Sequence, residues 1–168
     1  MSHALALTPD PSSAAGRIAS ETEADTQGVE ALLMAAFGPG RFAKTAERLR
    51  EGSRPAAGFV VRRDERIVGS VRLWPVIVGQ TPALFLGPIA VDATRRSGGL
   101  GAELVQACLE HAQTAGVGGV LLVGDQAYFD RFGFAPAQRA VLPGPVDQRR
   151  VLWLDLGAGA AEGRVAIA

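Results

Sequence analysis

Leu86-Gly87-Pro88-Ile89-Ala90-Val91-Asp92, followed by Arg95-Arg96-Ser97-Gly98-Gly99-Leu100-Gly101-Ala102, is the stretch on which the fold turns. The run from Ala83 to Val91 is apolar almost throughout, which predicts a strand covered on both faces. The glycines after it lead into a helix that ends near Gly116, with Leu104, Cys108 and Ala112 in one apolar row. A helix start carries free backbone N–H groups and partial positive charge. Glycine lets that backbone approach a bulky anion, and Arg95 and Arg96 add cations beside it. The arrangement suits a phosphate or pyrophosphate.

Around this segment the hydrophobic period changes twice. Val29, Leu32, Leu33, Ala36 and Phe37 recur at helical spacing, with Glu23 and Asp25 at the positive end and Gly38-Pro39-Gly40 as a stop. A second helix is expected over Arg41 to Glu51. Gly58 to Arg62 and Ile67 to Val78 read as a hairpin about Arg63-Asp64-Glu65, with Pro75 marking an edge, bulge or bend. Downstream come a short buried strand, Val120 to Val123, a short helix, Gln126 to Arg131, and a last strand, Val151 to Leu156. Residues 1–16 read as a mobile arm, 17–156 as one domain and 157–168 as a flexible tail. The order gives an α/β fold with a mixed central sheet.

Of two common phosphate sites, one is excluded and the other matches poorly. A Walker A loop needs Gly-Lys-Ser/Thr, and the only lysine is Lys44. A dinucleotide fingerprint needs a third glycine where Leu104 stands, in a loop early in the chain. By contrast, Arg96-x-x-Gly99-x-Gly101 resembles the Arg/Gln-x-x-Gly-x-Gly/Ala loop of the GNAT superfamily of N-acetyltransferases. Gly87-Pro88-Ile89-Ala90-Val91 is similar to that family's fourth strand. Tyr128-Phe129-Asp130-Arg131-Phe132-Gly133-Phe134 resembles its aromatic helix ending in Gly-Phe. The features come in the family's order over about residues 17–156.

The resemblance implies a GNAT fold in which strand 83–91 splays from strand 120–123. The pantetheine arm of acetyl-CoA enters the gap and pairs with the backbone of Ile89, Ala90 and Val91. Arg96, Ser97, Gly98, Gly99, Leu100, Gly101 and Ala102 hold the pyrophosphate, and the Ile89 N–H polarises the thioester carbonyl. A primary amine then attacks directly, so no protein nucleophile is needed. One departure matters. Many relatives have a proton-donating tyrosine four residues before the Gly of Gly-Phe; Phe129 stands there. Tyr128, the only tyrosine, points about 100° away on a helix, so its roles are proton donor, packing or contact with CoA. The second function class is therefore a binding or sensing module with the same cleft and little catalysis. A homodimer is suggested by analogy alone.

Other residue types narrow the function. The 17 basic and 17 acidic residues cancel, giving no field for nucleic acid or an anionic membrane. One cysteine, Cys108, and two histidines, His3 and His111, argue against a disulfide framework and against a metal site. Cys108 reads as core and His111 as helix surface. Asp125 reads as a helix cap; Asp92 also closes a strand. Trp74, Phe37 and Phe42 fit either an acceptor pocket or the core. No apolar run approaches a membrane span and no secretory signal is evident, so a cytoplasmic protein is expected.

Overall fold

Four antiparallel neighbours build one side of the sheet: β1 (Ile18–Ser20), β2 (Ala57–Arg63), β3 (Arg66–Val78) and β4 (Thr81–Val91). The computed structural model describes residues 17–168, without the side chains of Arg96 and Ser97; the expected arm over 1–16 lies outside the described residues. β2 and β3 are joined by a two-residue turn in which Asp64 and Glu65 both have positive φ, 50° and 64°. That is the twist a tight hairpin requires, here without glycine.

α1 (Thr26–Phe37) buries Val29, Leu32 and Leu33 against Val60 and Ala90. It stops at Gly38, at φ 65°, whose N–H caps the Met34 carbonyl at 2.9 Å. α2 (Leu100–Ala115) starts after left-handed Gly99 and ends at left-handed Gly116. Its buried row, Leu104, Cys108 and Ala112, packs on Val71, Leu73, Leu84 and Leu86. Alternation along β4 sends Ala83 and Phe85 to the other face, against Leu49, Trp74, Leu121 and Trp153.

β5 (Gly119–Val123) lies parallel to β4, and α3 (Gln126–Phe129) follows it. β6 (Ala135–Pro136), β7 (Ala140–Val141), β8 (Val151–Asp155) and β9 (Gly163–Ile167) complete the strands. The main order is β1-β2-β3-β4-β5-β8-β6, a mixed sheet with flanking helices.

Two expectations are corrected and a third is narrowed. Residues 41–51 form no continuous helix: 3-10 turns cover Pro39–Ala43 and Thr45–Leu49, with Lys44 extended between them. Tertiary bonds hold this segment, from Thr45 Oγ1 to the Pro145 carbonyl (2.5 Å) and from Arg48 Nη1 to that of Pro143 (2.6 Å). Of the three readings of Pro75 the edge holds: it pairs with Leu84 on one side and lies between the ladders of β2, ending at Leu73, and β9, starting at Val76, while the bulge lies at Arg72, opposite Gly87-Pro88. The tail supplies β9, which pairs with β3 and β7 and buries Val165.

Candidate active site

β4 and β5 pair over only three residues, Ala83–Phe85 with Gly119–Leu121. Beyond Leu121, β5 keeps only β8 as its partner, while β4 runs on from Leu86 to Val91 with only β3 beside it. The two strands part into an opening whose β4 side is about 17 Å long at ordinary strand rise. The Asp92 N–H donates to the Val68 carbonyl at 2.8 Å. Antiparallel alternation then makes Ala90–Ser70 the next bonded pair and turns the N–H and C=O of Ile89 and Val91 toward the opening. Ala90 departs from the sequence reading: its backbone serves β3, and its side chain packs under α1.

At the mouth of the opening stands the glycine turn. Asp92 Oδ1 accepts from the Thr94 N–H (3.0 Å) and hydroxyl (2.7 Å), and these bonds hold the Asp92 carboxyl below its ordinary range. A 3-10 segment, Ala93–Gly98, leads to Gly99 at φ 74°, a conformation suited to glycine. α2 then begins, and the amides of Leu100, Gly101 and Ala102 have no helical carbonyl ahead of them. A Cβ built on Gly98 or Gly99 would meet nothing within 4 Å, so this backbone faces open space. Arg17 braces the turn: its Nε donates to Glu103 Oε2 at 2.6 Å and its Nη2 to the Gly98 carbonyl at 3.3 Å. The expected phosphate contact of the Arg96 side chain lies outside the described residues.

Strand edge and turn line one cleft of about 680 Å³ with Ile89, Val91, Gly101, Tyr128, Phe129 and Arg131 on its walls. A groove of similar volume, about 690 Å³, runs on the far side of α2 beside Phe59 and His111. It lacks the two features that mark the first cleft, an unpaired central strand and a helix start.

The short helix sorts its aromatic pair. Phe129 is buried, 5.7 Å ring to ring from Phe134. Tyr128 is half-buried, with Arg131 stacked 4.5 Å over its ring. A Cβ on Gly101 would sit 3.5 Å from the Tyr128 hydroxyl, which places that hydroxyl at the glycine turn and not where β4 and β5 meet. Asp125 Oδ1 accepts from the Ala127 N–H at 3.1 Å, as a cap. Cys108 is buried and its thiol is pushed up by desolvation; His111 meets Phe59 edge-on at 6.2 Å. Among the described residues no group of three His, Cys, Asp or Glu could hold a metal, and no helix is long and apolar enough to cross a membrane.

Of the expected acceptor-lining aromatics, Phe37 and Phe42 are exposed, while Trp74 is buried with its Nε1 donating to the Gly87 carbonyl at 2.6 Å. Sequence reasoning missed the charged residues on the sheet face opposite α2: Glu21, Glu30, Arg41, Glu47, Arg50 and Arg72. The signal was a single cation in an apolar strand, Val71-Arg72-Leu73-Trp74.

The family model described as Acetyltransferase (GNAT) family matches residues 26–134. A protein of Escherichia coli K12 named uncharacterized N-acetyltransferase YhbS is 35% identical over 117 residues, which is 68% of this chain and 70% of its own length. The crystal structure of YhbS from Escherichia coli in complex with CoA superposes with a TM-score of 0.75 at 28% identity, covering 90% of this chain and 88% of that one. A GNAT family acetyltransferase from Brucella melitensis, crystallised with acetyl-CoA, shares the fold at a TM-score of 0.70 and 24% identity, over 90% and 94% of the two chains.

Proposed function

The chain belongs to the GNAT family of acetyltransferases, and from that premise we propose that it transfers an acetyl group from acetyl-CoA directly to a primary amine. The observation that carries this reading is the unpaired β4 edge at Ile89 and Val91 ending at an open glycine turn. The pantetheine arm takes the place of the missing strand partner. The diphosphate lies over the amides of Gly98 to Ala102, where helix-start N–H groups favour anions. The Ile89 N–H donates to the thioester carbonyl oxygen as negative charge grows on it. The neutral amine forms its bond to the carbonyl carbon, the carbon–sulfur bond breaks, the nitrogen loses a proton and the thiolate gains one.

Calorimetry with acetyl-CoA tests the cleft. The wild-type protein binds, and the double variant Gly99→Asp/Gly101→Asp, which sets carboxylates among the phosphates, loses affinity by about 100-fold or more. Unchanged affinity would rule out the turn as the phosphate site.

One observation favours a second reading, a CoA-binding or sensing module of low turnover. The family's tyrosine position is Phe129, buried without a proton to give, and the neighbouring hydroxyl lies at the phosphate end. Free-CoA release over a broad amine panel separates the two. Binding without release selects the module; release above the hydrolytic background selects the enzyme.

A further inference from the structure

On the sheet face opposite α2, a charged cluster interrupts the core. Arg72 binds Glu21 at 2.7 Å and Glu30 at 3.3 Å, Arg41 binds Glu30 at 2.8 Å, and Arg50 Nη1 binds Glu47 at 3.1 Å. Arg50 occupies a special place in it. Its guanidinium lies 5.2 Å over the ring of Phe85, the last β4 residue paired with β5. Its Nη2 would be 2.8 Å from a Cβ on Gly87, in the first stretch of β4 that β5 leaves unpaired. Arg50 therefore stands where the two strands part.

The cluster uses only Nη1 of Arg50; its Nη2 bonds to none of the carboxylates there. The Nε groups of Arg41 and Arg50 are buried without a hydrogen-bond partner, whereas no buried carboxylate oxygen lacks one among the described residues. Those two Nε groups are closed off from an incoming molecule, so the group left to meet one is Arg50 Nη2, a donor that pairs with lone pairs. Burial pushes the Arg50 guanidinium below its ordinary value; Glu47 opposes this, and the like charges of Arg41 and Arg72 add to it. Arginine nevertheless stays charged.

The cofactor arm enters from the α2 side, where the glycine turn lies. The opposite face, that of Arg50 and Phe85, is the one this placement leaves to the attacking amine. We propose that the acceptor is a small amine bearing a carboxylate near its nitrogen, an amino-acid-like molecule, and that Arg50 receives the carboxylate where β4 and β5 part; this rests on the acetyl-transfer reading above. A carboxylate presents two coplanar oxygens to the guanidinium fork. A dianionic phosphate fits less well, because Glu21, Glu30 and Glu47 already crowd the cluster with negative charge.

The experiment first measures acetyl-CoA binding by calorimetry, then CoA release with matched pairs: alanine and ethylamine, phenylalanine and phenethylamine, lysine and cadaverine. Carboxylated members are expected to exceed their partners in kcat/KM by about 100-fold, the worth of one hydrogen-bonded contact to a charged group. Arg50→Gln raises KM for the carboxylated members by about tenfold or more and closes the gap within each pair, with acetyl-CoA affinity unchanged. Equal use of both members, preference for the plain amines, or binding of acetyl-CoA with no member acetylated overturns the proposal. Failure to bind acetyl-CoA overturns the parent reading instead, and this one with it. The wild-type pairs decide the matter even where the Arg50 variant does not fold.

Discussion

A phenol and a phenyl ring stand side by side on α3, and their directions separate their roles. Phe129 fills the core beside Phe134, while the Tyr128 hydroxyl reaches the glycine turn. Tyr128→Phe should therefore weaken acetyl-CoA binding by about threefold, the worth of one neutral hydrogen bond, and leave kcat within about twofold. A kcat about 100-fold lower at unchanged affinity would make this hydroxyl the proton donor after all. At this scale the sequence revealed the glycine turn and the helix start behind it, because glycine spacing and helix polarity are local properties. It could not reveal that Ala90 faces β3, since strand register is set by the partner strand. Nor could it reveal Arg50 at the parting of β4 and β5, because that contact joins residues far apart in the chain.

The elements carry their own tests. The β2–β3 turn holds Glu65 at φ 64°, an unfavourable backbone region for a residue with a side chain. Glu65→Gly should stabilise the protein by about 0.5–1 kcal/mol, read as a higher midpoint in denaturant at unchanged slope. Asp25, just before α1, accepts from Arg62 Nε at 2.9 Å and from the Thr22 N–H at 2.8 Å. The Arg62 bond chiefly, helped by Thr22, lowers its carboxyl from 3.8 to about 2. Its contribution is then complete above the unfolded value and disappears as pH falls through the folded one. Asp25→Asn should cost about 1 kcal/mol at neutral pH, where Arg62 is partly solvated, and almost nothing near pH 2. Thermal midpoints of both proteins across that range check it. The helices and central strands were legible because their apolar periods are long and regular. The segment 41–51 was not, because Thr45 and Arg48 bond to carbonyls of Pro145 and Pro143, and those distant contacts override helical propensity.

At the scale of the whole molecule, β9 ties the C-terminal residues into the sheet. β9 lies along β3 from Val76 to Val78, and Val165 is buried there. A chain ending at Glu162 should lose about 2 kcal/mol from uncovering Val165 alone, visible as a thermal midpoint several degrees lower. An unchanged midpoint would show that β9 adds nothing to stability. This strand was hard to foresee, since Gly163-Arg164-Val165-Ala166-Ile167 is short and small-sided and gains its order from the β3 edge. The parted strands have a consequence beyond chemistry. An interior ribbon with half of one flank unanswered can recruit a stranger's backbone as readily as a guest molecule, so emptiness is a hazard for self-association. Occupancy supplies the lacking neighbour, and the protein's solubility and shelf life should follow how much guest its surroundings provide.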